Sequence, residues 1–288
     1  MASVFRRQRR RGQSPPADDK ARRSAFLSEA KKQSPYVAAQ VGDEVFIVRT
    51  DDEGVGRAVF LNQGRQDLAG LESALSRLGE YGVRLPDEPV FVDVGANIGT
   101  TTVTALRRHG FASAVAIEPA PGNFRLLRLN LIVNGVEGQV SAIEAAVSDH
   151  EGEVQFDVSR PSCGSFRIAK PDAEGTVAVK AVTLDGLAAG GVIDPTRVGM
   201  LWVDAVGHEP SVLAGGLRLL EAGVPAVVAV RRKMRLDPET RGSVSELLAA
   251  HYTHVAELRR PDASYPIAEL GTLLDGLDGV TDVLLVRR

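Results

Sequence analysis

Two acidic residues stand one strand-and-helix unit apart: Asp93 in Phe91-Val92-Asp93-Val94-Gly95-Ala96-Asn97-Ile98-Gly99, and Glu118 in Ala116-Ile117-Glu118-Pro119. The first run reads as a buried strand entering a glycine turn, then a helix from Thr100. Gly95 lets the backbone turn sharply, and Gly99 lets a ligand or a strand come close to the helix start. Glu118 falls at the tip of the next strand, where a carboxylate can accept two hydrogen bonds from a ribose diol. These residues point to a nucleoside-containing cofactor. Their spacing narrows the choice. Dinucleotide binders use G-x-G-x-x-G, so that a helix N-terminus faces a pyrophosphate. Here the order is Asp93-x-Gly95-x-x-x-Gly99, with Asn97 where the phosphate fingerprint has glycine. S-adenosylmethionine carries adenosine, a ribose diol, a sulfonium and an amino acid but no phosphate. It matches these residues better than NAD does.

The expected cofactor set is Asp93, Gly95, Ala96, Asn97, Gly99, Thr100, Glu118, Pro119 and Ala146. Each has a plainer reading. Glu118 would serve equally as a negative charge at a helix N-terminus. Asp93 either meets the methionine amine or hydrogen-bonds its own loop. Asn97, Thr100 and Thr101 either reach the cofactor carboxylate or cap the helix.

The elements that must position these residues alternate from Pro89 onward, strand then helix. That pattern is an α/β doubly wound, mostly parallel sheet with helices on both faces. Seven strands are expected, at 90–95, 113–118, 139–144, 199–204, 226–230, 254–258 and 282–286, with shorter ones at 153–158 and 176–181. Ligands in such sheets bind beyond the carboxyl ends of the strands, at the switch in strand order. This collects Gly95, Glu118, Ala145-Ala146 and Asp204 into one crevice. One helix opens at Ala120-Pro121 and runs through Asn130. Another opens at Glu209-Pro210 and runs to Gly223, before Pro225. Upstream, residues 45–48 and 58–61 bracket Asp51-Asp52-Glu53-Gly54 and suggest a hairpin. Leu68, Leu71, Leu75 and Leu78 repeat at helical spacing. Residues 36–88 are thus read as a small hairpin-plus-helix cap, and 89–288 as the main domain.

Residues 1–35 carry a net charge of +7 and the remaining chain −10. The run Arg6-Arg7-Gln8-Arg9-Arg10-Arg11, followed by Ser14-Pro15-Pro16, reads as a disordered basic tail. No aromatic residue interleaves the arginines, which argues against nucleic acid as a partner. No apolar core follows them, so the start is not a secretory signal, and no apolar run approaches a membrane span. A cytoplasmic protein is the default. The single cysteine, Cys163, excludes an internal disulfide, and no zinc-ligand cluster or other metal site is evident. The sequence carries no sign of oligomeric state.

The chain resembles FkbM-type S-adenosylmethionine-dependent methyltransferases. The matching blocks are residues 91–99; Ile117-Glu118-Pro119-x-Pro121-x-Asn123-Phe124-x-x-Leu127-x-x-Asn130; Ala146-Val147-Ser148-Asp149-x-x-Gly152; Val182-Thr183-Leu184-Asp185; and Leu201-Trp202-Val203-Asp204-x-x-Gly207-His208-Glu209. The resemblance implies a class I methyltransferase (Rossmann-like) fold and, usually, O-methylation of a secondary metabolite or a sugar. It makes Asp204, His208 and Glu209 the candidate catalytic residues. An alcohol is a poor nucleophile until its proton is accepted, and His is the side chain poised near neutrality for that task. Asp204 would orient the base or the hydroxyl. Alignment alone is the alternative, with His208 a helix cap. Cys163, in Ser162-Cys163-Gly164-Ser165, resembles a loop at the active-site mouth. Its alternatives are a substrate contact or a small loop residue without redox role, while Trp202 is expected in the core.

The chain also departs from the family pattern. Val206 stands where members usually carry Glu or Gln, and Ala229 where they often carry an acid. Arg231-Arg232-Lys233 replaces aromatic and proline residues, and either binds an anionic substrate group or is solvated. A small-molecule or glycan substrate is therefore expected. The other reading is a cofactor-binding partner subunit with weakened or no catalysis. An NAD-linked oxidoreductase is disfavoured by the glycine spacing.

Overall fold

The computed structural model describes residues 17–63, 66–169, 173, 175–231, 237–260, 264–276 and 279–288. The arginine run of the tail, Arg232 and Lys233 lie outside them. The chain begins with helix α1 (Ala17–Gln33), strands β1 (Tyr36–Val41) and β2 (Glu44–Arg49), and helices α2 (Val55–Asn62) and α3 (Gln66–Glu80). Next come β3 (Val90–Val94), α4 (Thr100–Arg108), β4 (Ser113–Ile117), α5 (Pro121–Val133) and β5 (Val140–Ile143). A layer of short strands follows: β6 (Ala146–Val147), β7 (Gly152–Asp157), β8 (Arg167–Ile168) and β9 (Thr176–Val182). The second half holds α6 (Leu184–Ala189), β10 (Val198–Val203), α7 (Glu209–Ala214), α8 (Leu217–Glu221) and β11 (Ala226–Val230). The chain closes with α9 (Pro238–His251), β12 (His254–Glu257), β13 (Ser264–Pro266), α10 (Leu270–Asp275) and β14 (Thr281–Val286).

The main sheet has eight strands in the order β13-β12-β14-β11-β10-β3-β4-β5. Strands β11, β10, β3, β4 and β5 run parallel. β14 is antiparallel between β11 and β12. This is the doubly wound, Rossmann-like class I methyltransferase architecture, in mixed orientation because of β14. β13 adds an eighth strand to the seven expected, as a three-residue edge piece antiparallel to β12. The order reverses between β3 and β10. Every residue of β3, β10 and β11 is buried, as strands covered on both faces require. The pleat divides β3: Val90, Val92 and Val94 enter one core cluster, and Phe91 enters another with Trp202 and Met200. Trp202 is therefore core, as expected.

The hairpin lies earlier than residues 45–61. β2 pairs antiparallel with β1, from Tyr36↔Arg49 to Val41↔Glu44. Residues 58–61 are instead helical, within α2. A four-residue apolar run carries no period that separates strand from helix. Asp52 decides it locally, accepting from the backbone N–H groups of Gly54 and Gly56 at the helix start. The outer edge of β2 meets two amide side chains of α5. Asn130 accepts from Ile47 N at 2.7 Å and donates to Ile47 O at 3.2 Å; Asn134 does the same for Val45 at 3.0 and 2.7 Å. These side chains substitute for a neighbouring strand.

Two other expectations are corrected. The stretch from Ala17 to Gln33 is a helix, and only residues before it remain outside the described part of the tail. Leu27 gives the reason: it is buried in one cluster with Phe46, Val59 and Phe60, and Phe26 stacks on Phe60 at 5.8 Å. The helix opening at Glu209 does not run to Gly223. It breaks at Gly215-Gly216 into α7 and α8, because two consecutive glycines are poor helix formers.

Candidate functional site

The strand tips at the reversal converge as the crevice rule requires. Gly95 has φ +82°, and a Cβ there would lie 2.2 Å from the Asp204 carbonyl oxygen. Only glycine lets the tips of β3 and β10 approach this closely. The backbone N–H groups of Gly95 and Ala96 then donate to Ile117 O at 2.9 and 3.0 Å, tying the turn to β4. Gly99, at φ +84°, answers to packing: its Cβ would lie 2.6 Å from Leu127 of α5. It brings two helices together.

Glu118 is 4 % exposed. Its Oε2 accepts from Asn97 N at 2.9 Å, and its Oε1 accepts from Ala120 N at 2.9 Å and from Asn123 Nδ2 at 3.3 Å. Burial pushes its carboxyl up to about 7, against the opposing pull of the Ala120 and Asn97 N–H groups and the Asn123 amide. Glu118 charges the start of α5, and it also stands on the wall of the cavity.

That cavity is an open cleft of about 720 Å³ of empty space, part of it continuous with solvent. Its polar side chains include Asn97, Glu118, Asp204 and His208, and its apolar walls include Val55, Phe156, Phe166 and Ile168. Gly95, Pro119 and Ala146 also line it. Asp93, Ala96, Gly99, Thr100 and Glu209 do not. Asp93 is buried, and Thr102 Oγ1 donates to it at 2.5 Å, so it faces α4. Thr100 and Ala96 are buried within the turn.

Sequence reasoning missed Asp52, which pins the loop over the cavity. It accepts from Cys163 N at 3.0 Å, and the Cys163 thiol lies 3.1 Å from its Oδ2. Asn97 Nδ2 donates to Cys163 O at 3.3 Å, linking the glycine turn to the same loop. Cys163 thus lines the mouth while being held by the turn residues around it. Val206 also lines the cavity, with φ +43°. The left-handed region is costly for a β-branched residue, and such strain gathers at functional sites.

Across the cavity, Asp204 pairs with Arg231. Arg231 Nη2 donates to Asp204 Oδ1, and Arg231 Nε donates to Glu209 Oε1 at 3.1 Å. Glu209 is 1 % exposed, and burial raises its carboxyl against the lowering effect of backbone N–H groups and Arg231. Arg231 is thus partly buried and engaged by two carboxylates. His208 precedes α7 without a side-chain cap. Its Nε2 lies 3.0 Å from Ser148 Oγ. The signal for Ser148 was present in Ala146-Val147-Ser148-Asp149, but the pairing spans 60 residues and no local pattern reveals it.

Fold and site together define a Rossmann-like α/β protein with a cavity at the β3/β10 reversal. The profile of the methyltransferase FkbM domain matches residues 93–257, more than half of the chain, and the chain belongs to that family. Its methyl donor is S-adenosyl-L-methionine. The chain is 42 % identical over 72 residues to the 31-O-demethyl-FK506 methyltransferase FkbM of Streptomyces tacrolimicus, covering 25 % of this chain and 27 % of the relative. It is 37 % identical over 68 residues to the methyltransferase sdnD of Sordaria araneosa, covering 24 % and 26 %. The chain thus spans about a quarter of the length of the curated relatives it matches. A solved O-methyltransferase from Bacillus cereus in complex with SAH aligns with 95 % of this chain and 92 % of its own, at 12 % identity and a TM-score of 0.43.

The donor set fits the cofactor. Among the described residues lining the cavity none is Lys or Arg. Glu118 Oε2 accepts one hydrogen bond and has a second acceptor position for a ribose hydroxyl. The apolar walls suit a flat base. Among the described residues no helix is long and apolar enough to cross a membrane.

Proposed function

We propose that this site transfers the methyl group to a hydroxyl oxygen of a small molecule, either a secondary metabolite or a sugar or glycan. What carries the reading is the meeting, in one cavity without described cations, of the buried Glu118 carboxylate and the His208 imidazole. S-adenosylmethionine supplies a methyl group already activated for displacement. In this reading Glu118 holds the ribose diol, and the Gly95, Asn97, Pro119 and Ala146 surfaces shape the rest of the cofactor side. Asp93, Ala96, Gly99 and Thr100 act from behind, keeping the turn in place. His208 accepts the proton of the acceptor hydroxyl. Asp204 lines the same cavity and aligns that hydroxyl, with Arg231 and Glu209 fixing its carboxylate. The oxygen acceptor is supported by the name of the Streptomyces relative.

A second reading keeps the cofactor and removes the chemistry, leaving a partner subunit. Val206 and the engagement of Asp204 by Arg231 favour it. Incubation with methyl-labelled S-adenosylmethionine and a host extract separates the two. Transfer of label by the wild type, reduced tenfold or more in His208→Ala at unchanged S-adenosylhomocysteine affinity, is the expected result. No labelled product from the wild type would leave the partner-subunit reading.

A further inference from the structure

Asp52 lies outside residues 93–257, the part of the chain that the family profile covers. Two segments meet at its buried carboxylate. One is the start of α2, whose Gly54 and Gly56 N–H groups donate to Oδ1 and Oδ2 in turn. The other is the loop between β7 and β8, whose Cys163 N donates to Oδ1 at 3.0 Å. Glu53 N joins the same two segments, donating to Pro161 O at 3.1 Å. They also touch where glycine leaves room. A Cβ on Gly54 would lie 1.7 Å from Ser162 Oγ, and one on Gly164 would lie 2.8 Å from Val55 Cγ2. From the loop the contacts continue inward. Cys163 O accepts from Asn97 Nδ2 at 3.3 Å and from Asn123 Nδ2 at 3.4 Å. Those two residues also donate to Glu118, Asn97 through its backbone N–H and Asn123 through the same amide. An unbroken run of contacts therefore leads from Asp52, through the Cys163 loop, to the Glu118 carboxylate.

We propose that Asp52 is a positioning residue of the methyl-donor site: by fastening the Cys163 loop to the start of α2 it holds the mouth of the cavity over the cofactor and sets how fast S-adenosylmethionine and its demethylated product leave. The inference rests on the reading that this cavity holds the cofactor. Asp52 acts through the segments it joins. Val55 on one side, and Cys163, Gly164 and Phe166 on the other, line the cavity. Hydrogen bonds to an ionised acceptor are stronger than those between neutral groups, so one carboxylate suits the task of holding two chain segments. Without it the Gly56 and Cys163 N–H groups lose a charged acceptor, and the loop loses its tie to α2. Cys163 O then no longer steadies Asn97 and Asn123, the donors that keep Glu118 in place. The N-terminal segment thereby becomes part of the donor site, through a residue that none of the family-like blocks contains.

The deciding measurement needs no methyl acceptor. Surface plasmon resonance on the immobilised full chain gives the release rate of S-adenosylhomocysteine, and hydrogen exchange read by mass spectrometry gives the opening of residues 158–166. In the wild type, S-adenosylhomocysteine should slow exchange in that segment. Asp52→Ala should speed the exchange and raise the release rate about tenfold or more. Gly54→Ala keeps Asp52 but drives the start of α2 against Ser162, and should shift both readings in the same direction. Leu27→Ala loosens the same N-terminal core cluster away from this junction, and should leave the release rate within about twofold of wild type. Melting curves identify any variant that has not folded; Gly54→Ala keeps the test decisive if Asp52→Ala fails to fold. A wild-type release rate in folded Asp52→Ala, or in Gly54→Ala where the aspartate variant does not fold, would overturn the inference. So would equal acceleration in Leu27→Ala, which would assign the effect to general loss of stability, or exchange in the wild-type loop that the ligand leaves unchanged. Wild-type affinity in Glu118→Ala would instead strike the reading that the cofactor sits in this cavity.

Discussion

At the scale of single residues, the proposed role of Glu118 couples cofactor binding to pH. Its folded-state pKa, raised by burial to about 7, lies above the ordinary 4.5. The stability linked to that shift is complete below about pH 4.5 and is lost as pH rises through 7, on the order of 3 kcal/mol in all. Cofactor binding runs the other way, since a ribose hydroxyl donating to the one open position of Glu118 needs an ionised acceptor. Affinity for S-adenosylhomocysteine should rise from pH 6 to pH 8, with proton release below about pH 7. Calorimetry in buffers of different ionisation enthalpy measures that release, and Glu118→Gln should abolish it. Arg231 supports a second test. Arg231→Met would leave Glu209 buried beside Asp204 without its cation, costing about 3 kcal/mol in a denaturant midpoint series; an unchanged midpoint would make the pair ornamental. The sequence made Glu118 legible because a strand tip and a glycine turn fix its place. Arg231 was not legible as the partner of Asp204, because the pairing joins the tips of β10 and β11 across 27 residues.

At the scale of elements, what the sequence disclosed was whatever had a strong local cause. The apolar runs of β3, β10 and β11 read as strands because both faces of the sheet are covered. Residues 58–61 misled because their strand-like composition is overruled by Asp52 at the start of α2. β13 went unseen because three edge residues carry no pattern. The glycine turn is the element on which the site depends most. Gly95→Ala places a methyl group against the Asp204 carbonyl, 2.2 Å from its oxygen, at φ +82°. Left-handed strain and the forced separation of β3 from β10 should together cost about 2–4 kcal/mol in thermal or chemical unfolding. Cofactor affinity should fall with it, because Asn97 N and Glu118 move as one unit. Wild-type stability in Gly95→Ala would mean that the turn has room the structure does not give it.

At the scale of the molecule, the N-terminal segment belongs to the same packed body as the cofactor crevice. Leu27, Phe46 and Val48 share a core cluster with Ile98, Leu126 and Leu127, and Val55 of α2 lines the cavity itself. Reading residues 1–35 as a basic tail counted the charges and overlooked Phe26 and Leu27, the two large apolar residues of a mostly polar helix. Deleting residues 1–33 should expose the Leu27 pocket, about 2 kcal/mol of burial, and lower Tm by roughly 4–8 °C in calorimetric scans. An unaltered Tm would return that helix to the status of a tail. The central claim is that one crevice, at the tips of β3, β4 and β10, holds S-adenosylmethionine through Glu118. Isothermal titration tests it most directly, with S-adenosylhomocysteine and NAD as ligands and wild type and Glu118→Ala as proteins. The account predicts binding of S-adenosylhomocysteine, none of NAD, and a loss of about 1.5–3 kcal/mol of binding in folded Glu118→Ala. Preference for NAD, or equal affinity in the two proteins, would contradict it.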